Sequence, residues 1–498
     1  MKKIIAILSI IGLFTGCNSD VLDLTDPNAI TTQTYWKTEA DIISALAATY
    51  NRIATPEMGE SRAVLIYNGR GDDFFIRNDV QAFYQATTFT NTPDNGTVKE
   101  LFQTPYRLIF RANQLIENVP NVPGVSDEKK ELYIAEAKYL RAYAYFMLVN
   151  NFGDIPLILS VPQSKDDYFV KQSPQSEVWA QVKKDFTEAA EILPLSYSSE
   201  DVGRATKGAA LAYLGKAHLY TENWDEVIST LTPLTTSPYT YELMENFGDN
   251  FVKETENNKE SIFEIQFQDI AGLGLTNYSA QNIAPAEVKG WFEAFPTNKI
   301  FNAFQEEKTV DGELDPRMYA TLIWDYEGAM YYNRPFTDFK TPFPQYKAMF
   351  KKYQNYNQDT ESIGSAGNNF NSDNNERVMR YDHVLMMLAE AHTIKGNVTQ
   401  AHSYLSQIRK RANLDENKTA GYNQQQMMEE IRRQCMLEFV REAHRFYDLR
   451  RWGLLKQELM NSDKEGREFY TEGKHDYFPI PQDEINANPM IEQNSYWR

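Results

Sequence analysis

Apolar positions recur along this chain with a period near 3.6 residues, the spacing that turns one stripe of a helix toward a core. Ile42, Ala45, Leu46, Thr49 and Ile53 share such a stripe, and Thr38 with Asp41 makes a capping-box-like start before it. ELYIAEAKYLRAYAYFMLVNN (131–151) predicts a long apolar helix ended by Asn150-Asn151 and FGDIP. SEVWAQVKKDFTEAAEIL (176–193) is amphipathic and stops at Pro194. QQQMMEEIRRQCMLEFVREAHRFYDLRRWG (424–453) predicts one helix with Met436, Phe439, Val440, Ala443 and Tyr447 along a single face, closed by Gly453.

Two stretches repeat a common order of small and large residues. In ALAYLGKAHLYTENWDEVISTL (210–231), Leu214-Gly215, Ala217 and Trp224 follow the tetratricopeptide pattern. In VLMMLAEAHTIKGNVTQAHSYL (384–405), Leu388-Ala389, Ala391, Gly396 and Ala401 take the equivalent places. Small residues let two antiparallel helices approach while large ones fill the seam. Glu222 stands where a turn glycine is usual, and Val227 where an alanine is usual.

Between the repeats the pattern changes. Residues 235–378 are rich in Asn, Gly, Pro and aromatics; SIFEIQFQ alternates as a strand does, and GSAGNNFNSDNNER reads as a polar loop. The expected fold is mostly α: one domain over 37–498, with a helical scaffold of degenerate tetratricopeptide-type helix pairs (37–234 and 379–498). An irregular insertion of loops and short strands (235–378) forms its ligand face, since loops held by a rigid scaffold tend to carry function.

The chain opens Met1-Lys2-Lys3, then IIAILSIIGLF, then Thr15-Gly16-Cys17. A basic start and an apolar core too short to span a bilayer predict an export signal over 1–16. The cysteine directly after Thr-Gly resembles a bacterial lipobox, with Phe14 where leucine is usual. Cys17 is therefore the expected lipidation site, and residues 17–36, polar and turn-rich, the expected tether. Several acyl chains hold a protein far better than the single chain that gives only marginal membrane binding. With Cys17 acylated, Cys435 has no partner and reads as a small buried hydrophobe.

The formal net charge is −19, and loss of Lys2 and Lys3 with the signal takes it to −21. So acidic a surface repels phosphate backbones and excludes nucleic acid as a partner. The six histidines show no H-E-x-x-H spacing, and neither G-x-S-x-G nor a phosphate-binding glycine loop occurs. No catalytic residue, metal ligand or cofactor is predicted; Asp72-Asp73 lacks the frame of an EF-hand loop, and a structural calcium is not predicted.

The residues also allow sugar recognition, which sets flat aromatic faces against ring C–H groups and places polar side chains on the hydroxyls. NGRGDDFFIRNDVQAFYQATTF (68–89) supplies Asp73, Arg77, Asn78, Phe83 and Tyr84, with Asp72 beside them. The insertion supplies Tyr278, Trp291, Trp324 and Tyr326, with Phe292, Tyr331 and Tyr332 in the same stretches. Each could equally be core packing, the commoner use of large aromatics.

Five segments in order, NFGDIPLI (151–158), MRYDHVLMMLAEAH (379–392), LSQIRKRANL (405–414), LEFVREAHRFYDLRRWG (437–453) and YFPIPQDEINANPMIEQNSYW (477–497), resemble the SusD/RagB family of surface lipoproteins. Ser495 departs from a region often proline or glycine there. The resemblance implies a non-catalytic protein that binds oligosaccharide or polysaccharide and serves a SusC-like TonB-dependent transporter. It also implies lipid anchoring in the outer membrane on the extracellular side. By its place in the chain, 68–89 resembles a segment that contributes to glycan binding in the family. A peptide-import subunit on the same scaffold is the alternative; a bare repeat scaffold or a glycosidase, which needs two placed carboxylates, stands further off. The arginines of RFYDLRRW are expected to pair with neighbouring acids.

Overall fold

Thr38 starts the first long helix as its sequence demands. In the computed structural model, which describes residues 35–59, 61–268, 276–340, 345–356 and 372–498, its hydroxyl accepts the Asp41 amide while the Asp41 carboxylate accepts the Thr38 amide. That box opens Glu39–Ile53, which buries Ile42, Leu46, Thr49 and Ile53. The export signal, Cys17, the tether as far as residue 34 and residues 364–371 of the polar loop lie outside the described residues.

The fold is mostly α. Helices Gly96–Asn118, Asp127–Phe152, Gln175–Ile192 and Lys207–Tyr220 pack each against the next in chain order. Asn95, Ser126 and Thr206 cap three of them with side-chain oxygens on free amides. The repeat stretches form the helix pairs Lys207–Tyr220 with Trp224–Leu231 and Tyr381–Ile394 with Val398–Arg411. Trp224–Leu231 packs on Tyr381–Ile394, so the two units adjoin in space across the insertion. Glu222 takes the left-handed conformation (φ 55°) at the first turn, as Gly396 does (φ 80°) at the second.

Gly215 shows why the repeat needs a small residue. A Cβ there would lie 2.3 Å from Leu231 Cδ2 across the seam. Gly215→Val should therefore lower stability by about 1–3 kcal/mol through overpacking. Urea unfolding checks this, and an unchanged midpoint would remove the close approach from the account.

The insertion leaves and rejoins the scaffold through one antiparallel pair, Ser261–Ile265 with Glu376–Arg380. Ile262, Phe263 and Ile265 point into the scaffold core. Beyond that neck, among the described residues, lie two larger apolar clusters and a small one of Phe247, Phe251 and Tyr353. Of the larger two, one gathers Phe74, Ile76, Ile300, Met318, Leu322 and Phe350; the other gathers Phe75, Phe292, Phe295, Tyr331, Tyr332 and Met349. Strand Phe74–Ile76 divides between them by the two-residue alternation of a strand, and pairs with Ala294–Pro296. The face unit is thus built from residues near 61–90 as well as from the insertion.

Residues 424–453 correct the sequence reading. Helix Gln424–Glu438 stops, the chain turns, and a second helix runs Arg445–Arg451. Arg441 (φ 65°) and Ala443 (φ 58°) adopt left-handed conformations, held by tertiary bonds: the Ala443 amide donates to Asn68 Oδ1 at 2.8 Å, and Glu442 turns inward to Arg380 and Lys352. Phe439 and Tyr447 consequently enter the scaffold core while Val440 enters the second cluster. Two of the three arginines of RFYDLRRW pair with acids, Arg445 with Asp72 and Arg451 with Glu390 and Asp448, whereas Arg450 bonds the Asn150 and Asp476 carbonyls and the Asn150 side chain. Cys435 is buried, which pushes its thiol pKa well up. Among the described residues no helix is long and apolar enough to cross a membrane.

The seam between scaffold and insertion is ionic and buried. Arg380 donates from Nη1 to Glu260 (2.6 Å) and from Nε and Nη2 to Glu442 (2.8 and 2.7 Å). Lys352 reaches Glu442 at 2.5 Å, Arg317 reaches Glu438 at 2.9 Å, and Arg411 bridges Glu438 and Glu260. Burial, with the charges of Glu260 and Glu438, pushes the Asp382 carboxyl well up despite Arg380. Glu260, Asp382 and Glu438 offer oxygens within 4.8 Å of one another, a spacing a metal could use. Arg380 Nη1 already lies against Glu260 and Asp382 and 3.8 Å from Glu438, so a guanidinium stands where an ion would.

Candidate functional site

The residues singled out in the sequence fall into three environments. Asp72 and Asp73 lie under the face, not on it. Asp72 accepts Arg445 (2.7 and 2.8 Å) and Lys299, and these cations outweigh its burial and hold the carboxyl down to about 2. Asp73 is 2% exposed, and neither carboxylate oxygen has a hydrogen-bond partner. Burial, and then the Asp72 charge, raise its pKa to about 7. The backbone carbonyls of both bond Thr297 and anchor the strand pair.

Unfolded, Asp73 ionises in the usual carboxylate range; folded, it keeps its proton to about pH 7. Its contribution to stability is full below the unfolded pKa and is lost as the pH rises through about 7. Asp73→Asn, which never ionises, should therefore gain on the wild type by up to about 3 kcal/mol between pH 5 and 8, because about two pH units separate pH 5 from the folded value and each is worth about 1.4 kcal/mol. Urea titrations at the two pH values measure this; a constant difference would contradict it.

Phe292, Tyr331 and Tyr332 belong to the second environment, the core of the face unit. Tyr331 donates to the Phe350 carbonyl at 2.7 Å and Tyr332 to Gln354 at 2.8 Å. Tyr332 and Asn333 take left-handed conformations in the tight turn between Met330–Tyr331 and Arg334–Pro335. Trp324, 8% exposed, sits on strand Leu322–Trp324 against Tyr326 (4.7 Å) and Tyr319 (5.1 Å).

The third environment is the rim. Trp291 is half exposed, at 50%, and its presentation is overdetermined by the backbone. Its amide donates to Gln281 (2.8 Å), the Phe292 amide to Ala284 (3.0 Å) and the Glu293 amide to Asn282 (2.7 Å). Phe292 is forced left-handed (φ 55°) while its ring packs 4.5 Å from Phe295, and at Gly290 a Cβ would meet the Ala284 carbonyl at 2.0 Å. An unfavourable conformation kept by a bulky residue is the kind of strain that clusters at functional sites.

Arg77 lies beside this turn, its amide on the Glu293 carbonyl at 2.8 Å and its side chain on Asp79. Asn78 is exposed next to it. Tyr84, half-buried, donates to Glu465 at 2.7 Å and is raised to about 12 by burial and that carboxylate. Phe83 packs against the scaffold core and the second cluster, and Tyr326 against the second and third. Tyr278, also half-buried, precedes helix Ser279–Ile283, whose Asn282 bonds its carbonyl. The structure thus sets Arg77 opposite Glu293 at the end of the Phe74–Ile76 and Ala294–Pro296 pair, with Asn78 and Trp291 on the two chains that run on from it; Trp324 with Tyr326 forms a separate aromatic group.

Glu293 was not legible in the sequence. It is buried under Arg77 with Oε2 unpartnered, and burial, partly offset by Arg77, raises it to about 7. Only the strand register places it there.

These features define a helical-repeat protein whose candidate site lies on the unit built from residues near 61–90 and the insertion. Residues 20–219 match a family described as starch-binding associating with outer membrane, and residues 259–497 match the SusD family. A SusD superfamily protein from Bacteroides vulgatus is 36% identical, with a TM-score of 0.85 over 93% of this chain and 100% of that one. A SusD-like protein, P25, from Formosa agariphila is 26% identical over 94% of this chain and 93% of its own. Surface glycan-binding protein A from Bacteroides thetaiotaomicron, solved with laminarihexaose, shares 22% identity and a TM-score of 0.76 over 92% of this chain and 100% of its own. The chain belongs to the SusD family.

Proposed function

We propose that this chain is a non-catalytic, lipid-anchored glycan-binding protein of the cell surface. It captures oligosaccharide or polysaccharide on the rim carrying Trp291 and passes it to a SusC-like TonB-dependent transporter. The observation that carries the reading is Trp291 itself: a large aromatic face left half exposed on a turn the backbone holds rigid. An indole so placed packs on the C–H face of a sugar ring without ordering cost, while Asn78 and Arg77 offer donors and an acceptor to its hydroxyls. The laminarihexaose held by the Bacteroides thetaiotaomicron protein of the same fold supports the ligand class. Cys17 would carry the anchor, on the extracellular side of the outer membrane. No cofactor or metal enters this reading.

Affinity electrophoresis against a panel of soluble polysaccharides, run beside a panel of short peptides, tests it. Retardation by one glycan class with peptides inert is the expected result. Retention of peptides alone would replace the reading with a peptide importer, and silence on both panels would leave only a scaffold.

A further inference from the structure

A groove of about 740 Å³ is lined entirely by residues of the helical scaffold and by none of the insertion. Helix Gly96–Asn118 forms one wall, and residues 156–170 with the C-terminal helix Gln482–Ala487 form the other. Its lining is mainly apolar and includes Phe110 and Tyr168, exposed at 40% and 61%. At one edge stand Arg52 and Arg111. Among the described residues neither has a carboxylate partner; Arg52 Nε is buried without a hydrogen bond, and Arg111 donates to the Ala48 carbonyl. Burial and the neighbouring Arg52 pull the Arg111 guanidinium below its usual pKa. In a chain with 69 acids to 50 bases, two adjacent arginines without an acid stand out.

The complementary chemistry is in the chain itself. Residues 18–34, NSDVLDLTDPNAITTQT, hold Asp20, Asp23 and Asp26 and no base, with Val21, Leu22 and Leu24 between the acids. Reach is sufficient. Arg52 lies about 20 Å along its helix from Glu39 at 1.5 Å per residue. Asp23 precedes Tyr35 by a stretch of chain that spans about 40 Å when extended. The other large surface groove, near Ile43 and Val202, offers no such match, because its Arg204 is already paired with Glu136 and Asp201.

We infer that residues 18–34 dock in the Phe110–Tyr168 groove, their aspartates on Arg52 and Arg111 and their leucines on its apolar floor. The tether then holds the body in one orientation over Cys17. This does not depend on what the Trp291 rim binds.

The test places a benzoylphenylalanine at Leu24 in the full chain and maps photo-crosslinks by mass spectrometry. Crosslinks to residues 102–111 or 156–170 are expected. Arg52→Glu with Arg111→Glu should reduce them at least fivefold, and adding Asp20→Arg, Asp23→Arg and Asp26→Arg should restore them, which also shows that the reversed body still folds. Crosslinks elsewhere, crosslinks indifferent to the reversal, or no recovery on the charge swap would overturn the proposal.

Discussion

Replacing Arg380 with methionine is expected to lower the free energy of unfolding by about 3–5 kcal/mol, the typical cost of leaving a buried charge without its partner. Arg380 is fully buried and bonds Glu260 and Glu442 while lying against Asp382. Methionine is flexible and fills much of the same space, so lost packing is the smaller part. What remains is a set of buried carboxylates whose cations, among the described residues, are Arg411, Arg317 and Lys352. Losing a cation raises the folded pKa of the carboxylates it faced. Stability then falls as the pH rises through those raised values, so the deficit should be smaller at pH 5 than at pH 8. Urea unfolding at both pH values measures the effect. A loss below about 1 kcal/mol would mean that the seam is not a structural element of the fold.

The second large effect concerns binding. Trp291→Ala should weaken glycan affinity at least thirtyfold, about 2 kcal/mol, the range of a central aromatic anchor. The unfolding midpoint should hardly move, because the indole is half exposed and the turn is held by backbone bonds that alanine keeps. Trp324→Ala should do the reverse. That ring is buried against Tyr319 and Tyr326, so its removal opens a cavity and lowers stability first. Calorimetry and thermal unfolding of the two variants side by side separate anchor from core. Equal affinities for Trp291→Ala and wild type would place the ligand elsewhere.

The helical half of the molecule was legible because its signals are local. The Thr38 capping box and the helix from 131 to 151 act within a turn or two of their own positions, and Gly215, which meets Leu231 across the seam, stands in a repeat whose spacing is written in the chain itself. The break at 439–444 was not, since neither Arg441 nor Ala443 advertises a left-handed conformation; Asn68 and Arg380, distant in sequence, impose it. The ionic seam was hidden for the same reason: Glu260, Arg317, Arg380 and Glu438 come from four separate segments.

The candidate site was legible in composition but not in orientation. Aromatic content set the insertion apart, yet could not separate Trp291, which faces solvent, from Phe292 beside it, which is core. That difference is set by a turn in which Lys289 and Phe292 are left-handed and the amides of 291–293 bond carbonyls of residues 281–284. Asp73 reads as a sugar ligand by type, and only burial shows it to be withdrawn beneath the face.

The most direct test is a crystal structure of the protein with the oligosaccharide that binds best in the polysaccharide panel. The account predicts a sugar ring packed face-on against the Trp291 indole, with Asn78 or Arg77 on its hydroxyls. Density for the sugar elsewhere, with the Trp291 face in solvent, would contradict it.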